Sequence, residues 1–360
     1  MKVLQVIDTL DVGGAEKMCI QMANLLYEKG HDVSILYFDI TEKNLTYQIN
    51  KCIPIYYIGV KKNWYNPLYF YRIFRLMMKF EIVHIHMRTS LRIIYLSTLF
   101  GLLYRRVVFH DHTGGTEQFE SSSKGIFIHQ AMRSFKYIAV YNELAQKSIE
   151  RFKINRNRVD VVSNFVSKPI QVNIQILPFD LNNLEILVVG NFRSQKNLLF
   201  LITLCEELKL NSLLKHRFHV IGGINDSNYY KHFIELIYSK NLKKHFIIYN
   251  DLSNIFEFRG KVNLAIMPSI EESGPLVLIE YLILKLPFLA HKVGDVTNKI
   301  GEYFPTQVLD NLDSVKWVKH LSSISFEENL LEYGNLYHSQ FSEEAAYSKW
   351  FEIYKRLITK

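Results

Sequence analysis

At 360 residues, with 48% apolar and 22% charged side chains, the chain is long enough for two domains with separate cores and too apolar to be disordered. Its three cysteines (Cys19, Cys52, Cys205) are widely spaced, form no zinc pattern in sequence and fit a reducing compartment. The net charge of +8 is lopsided: residues 1–177 carry 23 Lys and Arg against 14 Asp and Glu, whereas residues 178–360 carry 20 against 21.

The opening run KVLQVID (2–8) reads as a strand, too short in apolar length for a secretory signal. Gly13 and Gly14 separate it from an amphipathic helix expected over 15–29, with Met18, Met22, Leu25 and Leu26 on its apolar face and Gly30 ending it. HDVSILYF is the next strand, which makes a βαβ unit and predicts a parallel sheet. A dinucleotide fingerprint is absent. Between Lys61 and Arg106 there are nine basic residues and one acidic residue, Glu81, mixed with Trp64, Tyr65, Phe70 and Tyr71. Basic charge with interfacial aromatics suits an anionic membrane surface or a lipid-linked phosphate, and a solvated basic face over a core-facing aromatic stripe gives the same pattern. No nucleic-acid-binding motif accompanies the charge. The uncharged run 93–104 is about half of a membrane span and is expected to be a buried helix.

Two strands, IVHIH (82–86) and RVVFHDH (106–112), end in histidines, placing His86, His110 and His112 at carboxyl ends, where open α/β sheets gather ligands. Their spacing is not that of a metal-ligand set. The polar loop 113–125 suits a mobile acceptor-side segment. After a strand at 136–140, a helix at 143–152 and a strand at 158–166, Pro169 and Pro178 mark a linker over 169–183. The N-terminal domain is thus 1–168 and the C-terminal domain 184–340.

A second βαβ series starts at LEILVVGNFRSQKN (184–197), where Arg193 and Lys196 project from a loop before a helix; two cations there suit a pyrophosphate or merely flank the helix. FHVIGG (218–223) and HFIIYND (245–251) are further strands. Then VNLAIMP (262–268) leads into the turn Glu271, Glu272, Ser273, Gly274, Pro275 and a helix from Leu276 to Lys285, with Pro275 suited to its first position. Amides at a helix N-terminus favour phosphate, and Gly274 permits close backbone approach. Glu272 in the loop and Glu280 inside the helix can accept hydrogen bonds from sugar and ribose hydroxyls, or simply complement the helix terminus. The tail 341–360 is an amphipathic helix carrying Trp350, Phe351 and Tyr354.

SIEESGPLVLIE followed by KLPFLAHKVGDV resembles the Glu-x7-Glu signature of retaining glycosyltransferase family 4, with the paired glutamates at Glu272 and Glu280 and later positions at Pro287 and Gly294. The likeness extends over nearly the whole chain. It implies an α/β GT-B fold: two facing Rossmann-like domains, a deep cleft between them, and the tail helix packed back on the N-terminal domain. It implies a hexosyltransferase-type enzyme (EC 2.4) that moves a sugar, most readily from a UDP-sugar, to a glycan or lipid-linked acceptor in bacterial cell-surface polysaccharide assembly, such as capsule or O-antigen. Glu272 would hold sugar hydroxyls and Glu280 the ribose. Lys196, with Arg193, would neutralise the diphosphate, and Gly14, Ser273, Gly274, Pro275 and Leu276 would line the donor site. Gly13 and Glu16 match the family's first loop, and His110 or His112 would be its active-site histidine. The family needs no metal or other cofactor. Departures fall at Asn191, where the family has arginine, and at Tyr141, where it has serine; Asn164 matches. The cysteine usage and the basic 61–106 region lead to the expectation of a cytoplasmic protein, peripheral at the inner face of the cytoplasmic membrane. A non-catalytic GT-B protein that binds carbohydrate or a partner is the alternative, and a GT-B epimerase or phosphorylase a further one.

Overall fold

The computed structural model describes residues 1–11, 13–40, 44–59, 66–101, 106–112, 123–168, 177–210, 215–250, 254–326 and 330–359. In chain order the elements begin with β1 (Lys2–Ile7), α1 (Gly14–Glu28), β2 (Asp32–Tyr37), β3 (Ile55–Tyr57), α2 (Pro67–Met77), β4 (Ile82–Ile85) and α3 (Arg88–Thr98). They continue with β5 (Val107–Asp111), α4 (Ser123–Ser134), β6 (Lys136–Ala139), α5 (Asn142–Phe152) and β7 (Val159–Val161). Then come β8 (Asn183–Val189), α6 (Phe200–Leu210), β9 (Lys215–Ile221), α7 (Ser227–Ser239), β10 (Phe246–Tyr249) and β11 (Leu264–Met267). The chain closes with α8 (Leu276–Leu284), β12 (Phe288–His291), α9 (Gly294–Tyr303), β13 (Val308–Leu309), α10 (Ser314–Leu321), α11 (Leu330–Leu336) and α12 (Glu343–Ile358).

Two compact units result. One comprises Met1–Ser167 with Ser342–Lys360, the other Lys168–Phe341. The first holds a seven-stranded sheet ordered β3-β2-β1-β4-β5-β6-β7, the second a six-stranded sheet ordered β10-β9-β8-β11-β12-β13. Every strand pairing among the described residues is parallel. Parallel strands need crossovers and bury both faces, so near-continuous apolar runs such as Val3–Ile7 and Leu264–Met267 follow. The strand order reverses between β1 and β4 in one unit and between β8 and β11 in the other. At such switch points the loops diverge and leave a crevice at the carboxyl ends of the strands.

In the first unit, alternate residues sort to two faces. Leu4, Val6, Val83, Ile85, Val107 and Phe109 enter a core with α2 to α5. Gln5, His84, His86 and His110 point to the other face, where Trp350 and Tyr354 of α12 are fully buried. The side-chain oxygen of Ser342 caps α12 at the Ala345 amide. Lys29 at the end of α1 pairs with Glu344 at 2.5 Å, and Arg356 with Asp160 at 3.1 Å. The second unit's core packs Leu184, Ile186 and Val188 against α6, Phe233 and Trp317.

Several expectations shift. Pro275 is not the first helical residue: it sits one position earlier, at the N-cap, with ψ 110°. The buried helix expected at 93–104 is α3, which begins at Arg88 and leaves Leu99 and Phe100 exposed at its end; residues 102–105 lie outside the described set. Of the expected linker, Phe179 and Leu181 pack on the second core, because an apolar side chain beside a core edge is buried rather than solvated. Residues 169–176 lie outside the described residues, as do Trp64, Tyr65 and most of the 113–125 loop. Helix α2, capped by the Asn66 side chain at the Leu68 amide with Pro67 in its first turn, was hidden in the basic aromatic stretch.

Trp350 has no exposed surface, and its ring lies 4.7 Å from that of His84 and 4.8 Å from that of His110. Truncation to alanine should therefore cost about 3–5 kcal/mol, read as a lowered urea midpoint; an unchanged midpoint would show that α12 does not anchor this face.

Candidate functional site

In the second unit the loops that follow β8 and β11 flank the switch point. The first runs from Gly190 through a 3₁₀ turn at Ser194–Lys196 to Asn197, which adopts φ 49°. The second runs from Pro268 to Pro275. The Ile270 amide donates to the Gln195 carbonyl at 2.9 Å, and the Asn197 side chain to the Pro268 carbonyl at 3.2 Å. Across this seam Lys196 Nζ reaches Glu272 Oε1 at 2.5 Å, the two side chains being 16% and 10% exposed. A charge-assisted hydrogen bond of this kind, largely withdrawn from water, fixes both side chains.

Glycines shape the crevice. A Cβ on Gly222 would lie 2.0 Å from the Gly190 carbonyl oxygen, so the two backbones touch only because residue 222 has no side chain. Gly294 has φ +77°, and a Cβ there would lie 2.7 Å from the Glu272 carbonyl oxygen and 2.8 Å from that of Ser273. This supports the Glu272 loop from beneath, as does the Asp295 amide donating to Ser273 O at 3.3 Å. Asn191, at the position where the resemblance expected arginine, has its side-chain oxygen on the Gly223 amide at 2.9 Å, a structural role. Arg193 extends exposed from the same loop. Gly274 and Pro275 are buried, while Ser273 and Leu276 are partly exposed at the start of α8. The helix is apolar on all sides apart from Glu280, which is 6% exposed. Its early amides and dipole are the local positive pole.

In the first unit, Gly13 is the N-cap residue of α1 and Gly14 its first residue. A Cβ on Gly13 would lie 2.2 Å from a Glu16 carboxylate oxygen, whereas one on Gly14 would meet nothing within 4 Å. Asp8, which sequence reading passed over, directly follows β1 and accepts from the Ser90 amide at 2.7 Å and from its hydroxyl. Its place at a strand's carboxyl end was the available signal. Burial raises the pKa of both Asp8 and Glu16.

Four imidazoles share one sheet face. His86 Nε2 bonds the Gln5 side-chain oxygen at 2.7 Å, and its Nδ1 lies 3.1 Å from His112 Nε2. Since an amide oxygen only accepts, His86 carries its proton on Nε2, and His112 donates to Nδ1. His84 Nδ1 meets the Tyr354 hydroxyl at 2.6 Å. His110 is 1% exposed, and neither of its nitrogens has a hydrogen-bond partner. Nitrogens of His84, His86 and His110 lie within 4.8 Å of one another, a proximity that linear spacing did not reveal. The two candidate histidines thus differ: His110 is enclosed by rings, while His112 is partly exposed at the strand end, beside Asn164. Tyr141 is buried at the N-cap of α5 and belongs to the core, not to the strand-end surface.

Residues 170–333 match the model described as glycosyl transferases group 1, and residues 12–168 match that described as Glycosyltransferase Family 4. Among solved structures, a glycosyltransferase from Rickettsia africae ESF-5 is 22% identical, covering 99% of this chain and 98% of its own, with a TM-score of 0.77. Anabaena HepE in complex with UDP-glucose is 14% identical, covering 99% and 100%, with a TM-score of 0.77. A variant of S. aureus TarM in complex with UDP, fondaparinux and α-GlcNAc-glycerol is 12% identical, covering 98% and 99%, with a TM-score of 0.75. No curated protein sequence matches closely enough to count as a relative. The two models occupy one unit each, and both units carry the all-parallel sheets of these structures. The chain is a glycosyltransferase of GT-B type.

Burial holds His84, His86 and His110 well below the usual imidazole pKa and pushes His112 down to about 4. Above about pH 6.5 neither folded nor unfolded chain protonates them, and the full stability is present. As pH falls below that value, the unfolded chain takes up protons that the buried rings refuse, so stability declines by up to about 1.4 kcal/mol per pH unit for each histidine. For His112 the decline ends near pH 4. Urea midpoints measured between about pH 7.5 and 5.5 should fall steeply, and less so in His110→Phe. Parallel slopes in the two proteins would show that His110 is not a buried neutral group.

Proposed function

We propose that this chain transfers a sugar from a UDP-sugar to a glycan or lipid-linked acceptor in cell-surface polysaccharide assembly, with retention of anomeric configuration and without a metal ion. The observation that carries the reading is the Lys196–Glu272 pair across the switch-point crevice, beside the N-terminus of α8. A donor diphosphate arriving there would compete with Glu272 for the Lys196 ammonium. It would also meet the amides of Ser273, Gly274 and Leu276, with Arg193 as a second, more exposed cation. The released Glu272 carboxylate would accept hydrogen bonds from sugar hydroxyls, and Glu280, deeper along α8, would take the ribose hydroxyls. Fixed cation and amides would stabilise the negative charge that grows on the departing nucleotide.

In the retaining front-face route the bond from the anomeric carbon to the diphosphate oxygen breaks, and the acceptor oxygen bonds to the same face. The acceptor's proton passes to the departing diphosphate. His112, oriented by the His86–Gln5 relay and neutral at pH 7, would accept a hydrogen bond from a hydroxyl of the reacting sugar, with His110 as packing behind it. The UDP found in HepE and TarM supports uracil as the base. A hexose as the transferred sugar, and a capsule- or O-antigen-like product, are proposed from the family resemblance.

The cytoplasmic membrane face is proposed as the workplace. Among the described residues no helix is long and apolar enough to cross a membrane. Helix α2 and the residues just after it leave Leu68, Tyr71 and Met78 exposed beside exposed Arg72, Arg75 and Lys79, with Leu99 and Phe100 adjoining through the Tyr71–Phe100 ring contact. Apolar and basic side chains on one helix face suit an anionic lipid surface.

Calorimetry with UDP in EDTA tests the donor site. Lys196→Ala should weaken UDP binding by roughly tenfold or more, and Glu272→Ala should retain binding while losing about 10²-fold in transfer. UDP affinity unchanged by Lys196→Ala would refute the diphosphate role, and binding with no transfer to any acceptor would favour a non-catalytic GT-B protein. Flotation should recover the protein with vesicles containing anionic lipid, and reversal of Arg72, Arg75 and Lys79 to glutamate should abolish it. Equal recovery on neutral vesicles would remove the membrane claim.

A further inference from the structure

The second unit places Cys205, His216 and His245 together, although they come from three different elements: the middle of α6, the start of β9 and the turn before β10. Their ligand atoms all lie within 4.8 Å of one another. Cys205 Sγ stands 3.4 Å from His216 Nε2. The rings of His216 and His245 stack at 4.3 Å, so a ring turn is needed before both in-plane lone pairs meet at one point. His245 Nδ1 lies 3.1 Å from the His216 carbonyl oxygen, which can only accept, so the proton sits on Nδ1 and Nε2 carries the lone pair. That Nε2 is buried and has no hydrogen-bond partner.

A thiol–imidazole hydrogen bond accounts for Cys205 and His216 but leaves His245 Nε2 unanswered, and a buried acceptor without a partner is costly. A tetrahedral zinc ion with a sulfur at ~2.3 Å and a nitrogen at ~2.05 Å would separate those two ligand atoms by about 3.5 Å, close to the observed spacing. Donation from a ligating histidine's other nitrogen to a backbone carbonyl is the usual outer-shell support for such a site. The histidine quartet of the first unit fits less well, because both nitrogens of His86 are already engaged by Gln5 and His112.

We infer that Cys205, His216 and His245 form a zinc site, with water as the fourth ligand on the side where His245 is partly exposed. Metal binding displaces the Cys205 proton to solvent and forms the sulfur–zinc bond, so uptake is favoured by rising pH. The site lies at the amino-terminal ends of β9 and β10, opposite the carboxyl-terminal crevice of the same sheet. Its role is to clamp α6 to the strands, and it takes no part in sugar transfer. It therefore stands or falls independently of the proposed donor site.

The test uses the full chain carrying Cys52→Ser, since Cys52 is the exposed thiol. After EDTA treatment and gel filtration, one equivalent of Co²⁺ should produce a thiolate-to-cobalt charge-transfer band, and Zn²⁺ should abolish it and raise Tm. Cys205→Ser should lose the band and the Tm response. His245→Phe, at a partly exposed position and so tolerant of change, should weaken binding at least tenfold if Cys205→Ser fails to fold. No band with Co²⁺, a band that survives in Cys205→Ser, or unaltered affinity in His245→Phe would each overturn the site.

Discussion

The ion pair between Lys196 and Glu272 is the interaction that holds the C-terminal unit's switch-point loops together. It joins two loops that leave the sheet in different directions because the strand order reverses between β8 and β11. Two largely buried charges carry a desolvation cost that their mutual attraction offsets only in good geometry. The seam between the loops supplies that geometry: Ile270 to Gln195, Asn197 to Pro268, and Gly294 beneath the Glu272 backbone. A ligand with its own negative charge can replace the carboxylate without leaving the ammonium exposed. The pair thus keeps the two loops ordered.

The first unit solves a different problem. Its sheet face carries imidazoles where an α/β sheet usually presents aliphatic residues, and α12 returns to cover them with Trp350 and Tyr354. Burial keeps these rings neutral, so the face is polar in composition yet uncharged at neutral pH. Gln5 and His86 fix the tautomer of a relay that ends at His112, the member nearest solvent. The histidines behind it act as packing and as orientation.

Much of the fold was legible because parallel strands write continuous apolar runs and helices write their own period. The strand cores at β1, β4, β5, β8, β9 and β11 fall inside the runs read from sequence, and Glu272 and Lys196 were visible as polar residues in loops after strands, Glu280 as the one charge inside an apolar helix run. Helix α2 was not, since a helix with Leu68 and Tyr71 exposed among its basic residues lacks a clean polar face. Nor was the role of Asn191 visible: only its contact with the Gly223 amide shows that this loop is stabilised by a carboxamide in place of the expected cation.

By itself the sequence determined two parallel α/β units, the cationic and carboxylate residues of one crevice, and a terminal amphipathic helix, because strand and helix periodicity and glycine-bearing turns are local properties. Tertiary structure alone decided which residues meet. Lys196 finds Glu272, His86 finds Gln5 and His112, and Cys205 and His216 find His245, although each comes from a different element. Those meetings follow from sheet order and register, which bring strand ends together irrespective of their distance in sequence, and no spacing along the chain encodes them.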